Sequence, residues 1–183
     1  MKIGYTYASG RGDTDLLLYR FAMSLCADGY RPVGTVQMNE MCKQTGRCDM
    51  DVKVLPDGPV IRISQALGPG STGCRLLPSA LEESVGEVAA RLTREADLLI
   101  INKFGKQEAD GHGFRPLIGA ALELGVPVIV GLSHLNQQAF FDFAEDFAEE
   151  LAPDEAALRS WFERELAAIR GESQPPAATL DAS

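Results

Sequence analysis

Residues 97–102 read Asp97-Leu98-Leu99-Ile100-Ile101-Asn102, a short and uninterrupted apolar run between two polar residues. A run of this length without polar alternation is typical of a parallel strand that is buried on both faces. Similar runs lie at residues 2–7, 33–37 and 126–130, and patterns with helical spacing separate them. Strands that alternate with helices predict an α/β fold of three layers, in which helices cover both faces of a mostly parallel sheet.

A hairpin signal interrupts this alternation in the first half of the chain. Residues 51–55 and 60–64 flank the turn Pro56-Asp57-Gly58-Pro59, which predicts a β-hairpin insertion within about residues 38–76. Downstream, Ser79 and Glu82 have the spacing of a capping box and predict the start of a helix.

The C-terminal third has the pattern of two acidic amphipathic helices. Large apolar side chains recur at helical spacing over residues 137–151 and again over 154–169. From Gly171 onward the chain lacks large apolar residues and carries two adjacent prolines, which is typical of disorder. We therefore expect a single domain over residues 1–170, with its acidic helices at about 137–170, and a disordered tail over 171–183.

Charge and composition exclude several classes of protein. The 183 residues carry a formal charge of −9, from 26 acidic and 17 basic side chains, and 45% of the residues are hydrophobic. Residues 137–172 alone hold ten acidic and three basic side chains, so the rest of the chain is close to neutral. An acidic balance disfavours a nucleic-acid partner, and no apolar run reaches the length of a membrane span. Four cysteines are too few for a disulfide scaffold, and we expect a cytoplasmic protein with free thiols.

A glycine-bearing turn follows the first predicted strand and is the first candidate site. Its residues are Ala8, Ser9, Gly10, Arg11, Gly12, Asp13 and Thr14. A turn of this kind can present backbone N–H groups and a positive helix end to a phosphate. Compared with the pattern G-x-x-x-x-G-K-[ST], Gly12 and Thr14 match, whereas Tyr7 replaces the first glycine and Asp13 replaces the lysine. The residues alone favour a tight strand-to-helix turn that is capped by Asp13 or Thr14.

The second candidate site follows the decisive strand, where ligands collect in open α/β sheets. Asn102, Lys103, Gly105, Lys106 and Glu108 lie within seven residues. Gly105 permits a sharp exit from the strand, and the two lysines offer cations, although a solvated loop would have the same composition. Arg115, at the start of a predicted helix, adds a planar cation suited to oxyanions.

These two sites together carry a resemblance to a bacterial family, domain of unknown function 2478. The resemblance extends over about residues 1–168, through Leu98-Leu99-Ile100-Ile101-Asn102-Lys103-Phe104-Gly105-Lys106-Gln107-Glu108 and the segments 46–50, 63–68, 73–76 and 111–115. That family in turn resembles small P-loop nucleoside-triphosphatases. The resemblance implies a P-loop-like fold, residence in a bacterial cytoplasm and a connection with molybdenum, but no settled activity.

The departures from those triphosphatases concern the charged residues. The resemblance places Asp13 at the phosphate-binding lysine, and Asn102 and Lys103 at the acidic pair that serves magnesium and water. Two hypotheses follow: Asp13 and Lys103 pair and close an empty site, or Lys103 supplies the missing cation and an anion binds at residues 10–14. In an active enzyme the catalytic candidates are Lys103 and Glu108. We do not expect magnesium to bind in the usual way.

A cluster of sulfur-containing side chains is the third candidate, with Cys48 and Cys74 as a possible thiol site. Arg47 and Arg75 adjoin these cysteines and would favour thiolates. The spacing from Cys42 to Cys48 differs from that of zinc knuckles, no metal is identified, and packing under the hairpin explains the residues equally well. His112 and His134 are interpreted as hydrogen-bonding loop residues.

Three classes of function remain open. The leading prediction is a protein that binds a nucleotide or small oxyanion on a degenerate P-loop scaffold, in a regulatory or accessory role related to molybdenum. The second is an atypical nucleoside-triphosphatase or phosphotransferase that uses Lys103, Lys106 and Glu108. The third is an interaction module whose acidic C-terminal helices dock a protein partner. The ligand and the oligomeric state are left open.

Overall fold

A computed structural model describes residues 2–10, 12–40, 49–65 and 76–172. Within these ranges the strands are β1 (Ile3–Thr6), β2 (Pro32–Glu40), β3 (Asp49–Leu55), β4 (Val60–Arg62), β5 (Leu98–Ile101), β6 (Val128–Gly131) and β7 (Ala148–Leu151). The α-helices are α1 (Asp13–Ala27), α2 (Pro78–Ala89), α3 (Lys106–Ala109), α4 (Arg115–Leu124), α5 (Gln137–Ala144) and α6 (Glu155–Glu172).

The strands form one sheet in the order β4-β3-β2-β5-β6-β1-β7. Strands β2, β5, β6, β1 and β7 run parallel to one another, whereas β3 pairs antiparallel with both β2 and β4. The prediction of an α/β fold with a mostly parallel sheet and a β-hairpin is therefore confirmed. The parts of the predicted insertion at residues 41–48 and 66–75 lie outside the described residues.

Strand β5 lies at the centre of the sheet and shows why its sequence is continuously apolar. Leu98 and Ile100 pack into a core that α1 and α6 cover, with Trp161 among its largest side chains. Leu99 and Ile101 point to the opposite face, where α2, α4 and α5 contribute apolar side chains to a second core. All four side chains are fully buried, as expected for a strand between two helical layers.

The predicted helix over residues 137–151 is wrong in its second half. Helix α5 ends at Ala144, because Glu145 adopts a positive φ of 45° that interrupts the helical path. After a 3-10 turn the chain forms β7, which pairs in parallel with β1. The acidic segment thus supplies an edge strand as well as helices.

Two further boundaries differ from the sequence expectations. Helix α2 begins at Pro78 with Leu77 as its N-cap and no side-chain cap, so Ser79 lies inside the helix rather than capping it. Helix α6 continues to Glu172, two residues into the predicted tail, and residues 173–183 lie outside the described residues. Among the helices that the structure describes, none is long and apolar enough to cross a membrane.

Candidate functional site

A cavity of about 270 Å³ opens where three neighbouring strands of the sheet end. These strands are β5, β6 and β1, and the cavity lies at their carboxyl ends, where α/β sheets bind ligands. Its lining residues are Tyr7, Ala8, Ser9, Gly10, Gly12, Thr14, Asp15, Asn102, Lys103, Gly131, Leu132 and Ser133. The structure therefore brings the glycine turn and the first two residues after β5 to one place.

The glycine turn forms the first wall of the cavity. Gly12 has a φ of 84° and caps α1, a left-handed conformation that glycine adopts without steric cost. The N–H of Ala8 donates to Thr14 Oγ1 at 2.9 Å, which ties the two ends of the turn together. The sequence left Asp13 or Thr14 as the N-cap, whereas the structure gives that position to Gly12 and begins α1 at Asp13.

Asp13 lies outside the cavity lining. Its side chain is exposed, and its carboxylate folds against Gly10, where a Cβ would collide with it. A side chain at position 10 would therefore require the exposed Asp13 carboxylate to move. Within the described residues no ion pair joins Asp13 to Lys103, so the pair expected in a closed, empty site does not form in this structure.

Asn102 forms the floor of the cavity and is only 5% exposed. Its Oδ1 accepts a hydrogen bond from the backbone N–H of Gln37 at 2.9 Å, and its Nδ2 donates to Asp15 Oδ1 at 2.9 Å. Both polar atoms of the amide are therefore engaged within the protein. The sequence analysis did not select Asp15 on α1 or Gln37 on β2. Gln37 reaches Asn102 because β2 lies next to β5 in the sheet.

Lys103 is exposed, and among the described residues that line the cavity it is the one with a basic side chain. It follows Asn102 directly, so the end of β5 contributes an amide residue and a basic residue to the lining of the same cavity. The N-terminus of α1, on the other wall, adds the partial positive charge of a helix of 15 residues.

The remaining residues of the second predicted site serve the loop rather than the cavity. Glu108 is 3% exposed, and its carboxylate accepts backbone N–H groups of Gly105 at 2.8 Å and Phe114 at 3.1 Å. Lys106 is exposed and pairs with Asp110 at 3.1 Å. The lining of the cavity includes neither of these side chains nor Gly105.

Arg115 likewise lies away from the cavity lining. Its guanidinium group lies 4.7 Å from the centre of the Phe143 ring, a cation–π contact. This contact joins the start of α4 to α5.

The loop after β6 forms the last wall. The rings of Tyr7 and His134 lie 4.0 Å apart between centroids, and Ser133 lines the cavity beside them. The N–H of Leu132 donates to the Thr6 carbonyl at 3.0 Å, which joins this loop to the end of β1.

Three predicted site residues, Arg11, Cys48 and Cys74, lie outside the described residues. Cys26 is the described cysteine, and burial raises its pKa, which favours the unreactive thiol. Across the described ranges, no group of three or more histidine, cysteine, aspartate and glutamate side chains is placed to hold a metal ion.

The sequence pattern of the family described as "Protein of unknown function (DUF2478)" matches residues 3–161. The chain belongs to this family. The DUF2478 fold is similar to the crystal structure of THEP1 from Aquifex aeolicus, with a TM-score of 0.61 at 20% identity. That superposition covers 92% of this chain and 99% of THEP1.

A second solved structure has a similar fold. It is the solution structure of a human cancer-related nucleoside triphosphatase, with a TM-score of 0.51 at 18% identity, covering 94% of this chain and 97% of the other. The expected P-loop-like α/β fold, similar to the folds of these two proteins, is thereby confirmed.

A curated relative in sequence is "Molybdenum import ATP-binding protein ModC 2" of Bradyrhizobium diazoefficiens. It is 32% identical over 152 residues, which is 82% of this DUF2478 chain. The chain spans only 17% of the length of that relative.

Proposed function

We propose that this DUF2478 protein binds a small oxyanion, or the phosphate of a nucleotide, in the cavity at the ends of β1, β5 and β6. The proposal rests on one observation: Lys103 and the N-terminus of α1 border the same cavity. A helix N-terminus and an ammonium group both favour a negatively charged ligand.

The size of the cavity is consistent with a small ligand. Its volume of about 270 Å³ is just below the range of about 300–1,000 Å³ typical of drug-sized ligands. A tetrahedral oxyanion or a terminal phosphate suits such a volume, and the rest of a nucleotide would extend into solvent.

We further propose a regulatory or accessory role without ordinary magnesium-dependent hydrolysis. The resemblance to the triphosphatases implies that Asn102 and Lys103 replace their acidic pair at the end of β5. Both amide atoms of Asn102 are already hydrogen-bonded. The nearby carboxylate of Glu108 is occupied by two backbone N–H groups. These contacts engage the polar groups of Asn102 and Glu108, and the carboxylate that lines the cavity, Asp15 on α1, accepts from Asn102. Among the described residues that directly follow β5, none therefore offers a carboxylate to magnesium or to an attacking water.

The relative named for molybdenum import supports an accessory role in molybdenum uptake or use, in a bacterial cytoplasm. The chain spans only a small part of that relative. We therefore relate this protein to the same process, molybdenum uptake or use, and not to the activity of the relative. The cavity chemistry does not depend on it.

Thermal-shift measurements with phosphate, sulfate, molybdate, ATP and GTP test the binding role. We expect at least one of these anions to raise the melting temperature of the wild-type protein. Lys103→Ala should abolish that shift. Lys106→Ala is the matched control, since it removes the same charge from a side chain that is paired with Asp110 outside the cavity lining.

Three results would contradict the proposal. The absence of any shift at millimolar anion would favour the interaction module over a ligand-binding role. An equal loss of the shift in both lysine variants would remove Lys103 from the site. Steady turnover of ATP or GTP that Lys103→Ala abolishes would replace the accessory role with an enzymatic one.

A further inference from the structure

The loop after β6 places flat and apolar side chains beside the cavity. The ring centroids of Tyr7 and His134 lie 4.0 Å apart, and Tyr7 lines the cavity together with Ser133. His134 is exposed, and so is Leu135, which follows it in a 3-10 turn. We define the aromatic rim as Tyr7, His134 and Leu135. The aromatic rim therefore adjoins the cavity in which we propose that an anion binds.

The exposure of Leu135 sets it apart from the other exposed apolar residues. Leu135 is 94% exposed, whereas Leu16, Val60 and Phe147 are 48–53% exposed. A leucine that is exposed to this extent adds almost nothing to the core, and covering it would remove apolar surface from water. Since it directly follows an exposed imidazole ring, the two side chains offer one continuous surface to a ligand.

The volume of the cavity directs a larger ligand towards this surface. About 270 Å³ holds a phosphate group, so the rest of a phosphorylated ligand has to lie outside, against the residues that adjoin the lining. The ligand that suits both surfaces carries an anionic group and a flat apolar group. Nucleobases are flat groups of this kind, and they stack on the side chains of tyrosine and histidine.

We propose that the aromatic rim binds the base of a nucleotide whose phosphate occupies the cavity. This inference rests on the proposed anion-binding function and assigns its ligand to the nucleotides rather than to free oxyanions. Lys103 and the N-terminus of α1 attract the phosphate. The base stacks on the imidazole ring of His134 and covers Leu135, while the ring of Tyr7 supports the imidazole. No covalent bond changes.

Isothermal titration calorimetry with AMP, ribose 5-phosphate and inorganic phosphate tests the inference. AMP and ribose 5-phosphate carry the same phosphate ester on the same sugar, so the ratio of their affinities measures the contribution of the base. Any charge on Lys103 or His134 acts on both probes alike. We expect the wild-type protein to bind AMP about fivefold or more tightly than ribose 5-phosphate, the lower end of the range for stacking of a base on an aromatic ring.

Substitutions in the aromatic rim assign this ratio to named side chains. His134→Ala and Leu135→Ala should each lower the ratio by about threefold or more, because each removes part of the surface under the base. His134→Phe retains a flat ring and should keep the ratio of the wild-type protein. His112→Ala is the matched control, since it removes the same side chain from an exposed position outside the cavity lining, and it should leave the ratio unchanged.

The outcomes separate this inference from the function on which it rests. If none of the three probes binds the wild-type protein, the anion-binding function and the base site both fail. If phosphate or ribose 5-phosphate binds and AMP binds no more tightly, the base site alone fails, whatever the variants do.

Two results with the variants would also overturn the base site. An unchanged ratio in both His134→Ala and Leu135→Ala would place the base elsewhere on the protein. A loss in His134→Phe as large as that in His134→Ala would show that the imidazole acts through its nitrogen atoms or its charge rather than through the face of its ring.

Discussion

Replacing Glu108 tests whether its buried carboxylate stabilises the loop after β5. We define the Glu108 clamp as the carboxylate of Glu108 and the two backbone N–H groups that it accepts, those of Gly105 at 2.8 Å and Phe114 at 3.1 Å. The clamp joins Gly105, which precedes α3, to Phe114, which precedes α4, nine positions later. Its acceptor is 3% exposed, so water cannot easily replace it.

The expected loss follows from the two hydrogen bonds. A hydrogen bond to a charged group contributes about 1.5–3 kcal/mol, and an unsatisfied buried donor costs about 1–3 kcal/mol. Phe114 is buried, so its N–H loses a partner outright in Glu108→Ala, whereas Gly105 is half-buried and its N–H can regain water. We therefore expect Glu108→Ala to lower the free energy of unfolding by about 2–4 kcal/mol.

Glu108→Gln provides a finer test with almost the same shape. One oxygen can still accept from Phe114, while the amide group faces the N–H of Gly105 as a second donor. The loss should be about 1–2 kcal/mol. The control is Glu123→Gln, the same chemical change at an exposed position on α4, which should alter stability by less than about 0.5 kcal/mol.

Equilibrium unfolding in urea, followed by circular dichroism, measures these differences. The dependence of the free energy on urea should stay the same, with a shift of the midpoint alone. If Glu108→Gln and Glu108→Ala are as stable as the wild-type protein, the clamp contributes nothing. Glu108 would then be available for the chemistry that its position in the sequence suggests.

Three further changes test other parts of the fold by the same unfolding measurement. Gly34→Ala should lower the free energy of unfolding by about 3 kcal/mol or more, because its φ is 124° and a Cβ would strike a backbone carbonyl of the neighbouring strand. The control Gly86→Ala, in open space on α2, should raise that free energy by about 0.5–1 kcal/mol. Equal effects of the two substitutions would refute the steric explanation. Asp154→Ala should lower the free energy of unfolding by about 1 kcal/mol, because the Asp154 carboxylate accepts a backbone N–H from the first turn of α6. Asp154→Asn should leave that free energy nearly unchanged. Equal losses in the two variants would contradict a capping role. Burial and the charge of Glu150 raise the pKa of Tyr5, so its contribution to stability holds below about pH 10 and declines as pH rises further. Tyr5→Phe should reduce this loss of stability at alkaline pH. An unchanged loss in the variant would refute the contribution of Tyr5.

The parts of the fold that the sequence predicts correctly are those whose pattern follows from local burial. The run at residues 98–101 is apolar throughout because helices cover both faces of β5. The helix predicted to start at Arg115 does so, with Pro116 in its first turn, and it ends at Gly125, which takes a left-handed φ of 78°. In both cases the residues near the boundary carry the signal themselves.

The acidic segment shows where local pattern fails. Phe140, Ala144, Phe147 and Leu151 continue a helical spacing, although the chain turns at Glu145 and then enters β7. Alanine and glutamate are poor strand formers, so β7 exists because β1 offers it a partner. A pairing between residues about 145 positions apart leaves no trace in a short window of sequence.

The site was predicted in part, for a similar reason. The glycine turn and Lys103 were found because each follows a strand directly, and both line the cavity. Asp15 was missed because its hydrogen bond to Asn102 joins residues 87 positions apart. Glu108 was selected as an acid near a strand end, and only the structure reveals the backbone groups that it accepts.

Strand β7 also has a consequence for the order in which the molecule assembles. Ile3 pairs with Val128 on one side and Ala148 on the other, so β1 acquires both neighbours only from the last third of the chain. Contacts of such sequence separation form slowly and late, and a chain emerging from the ribosome holds its first strand unpaired until those partners appear. The turn that begins at Tyr7 is anchored to β1. We therefore expect the cavity to be among the last features to form during synthesis, although seven of its twelve lining residues lie within the first fifteen positions.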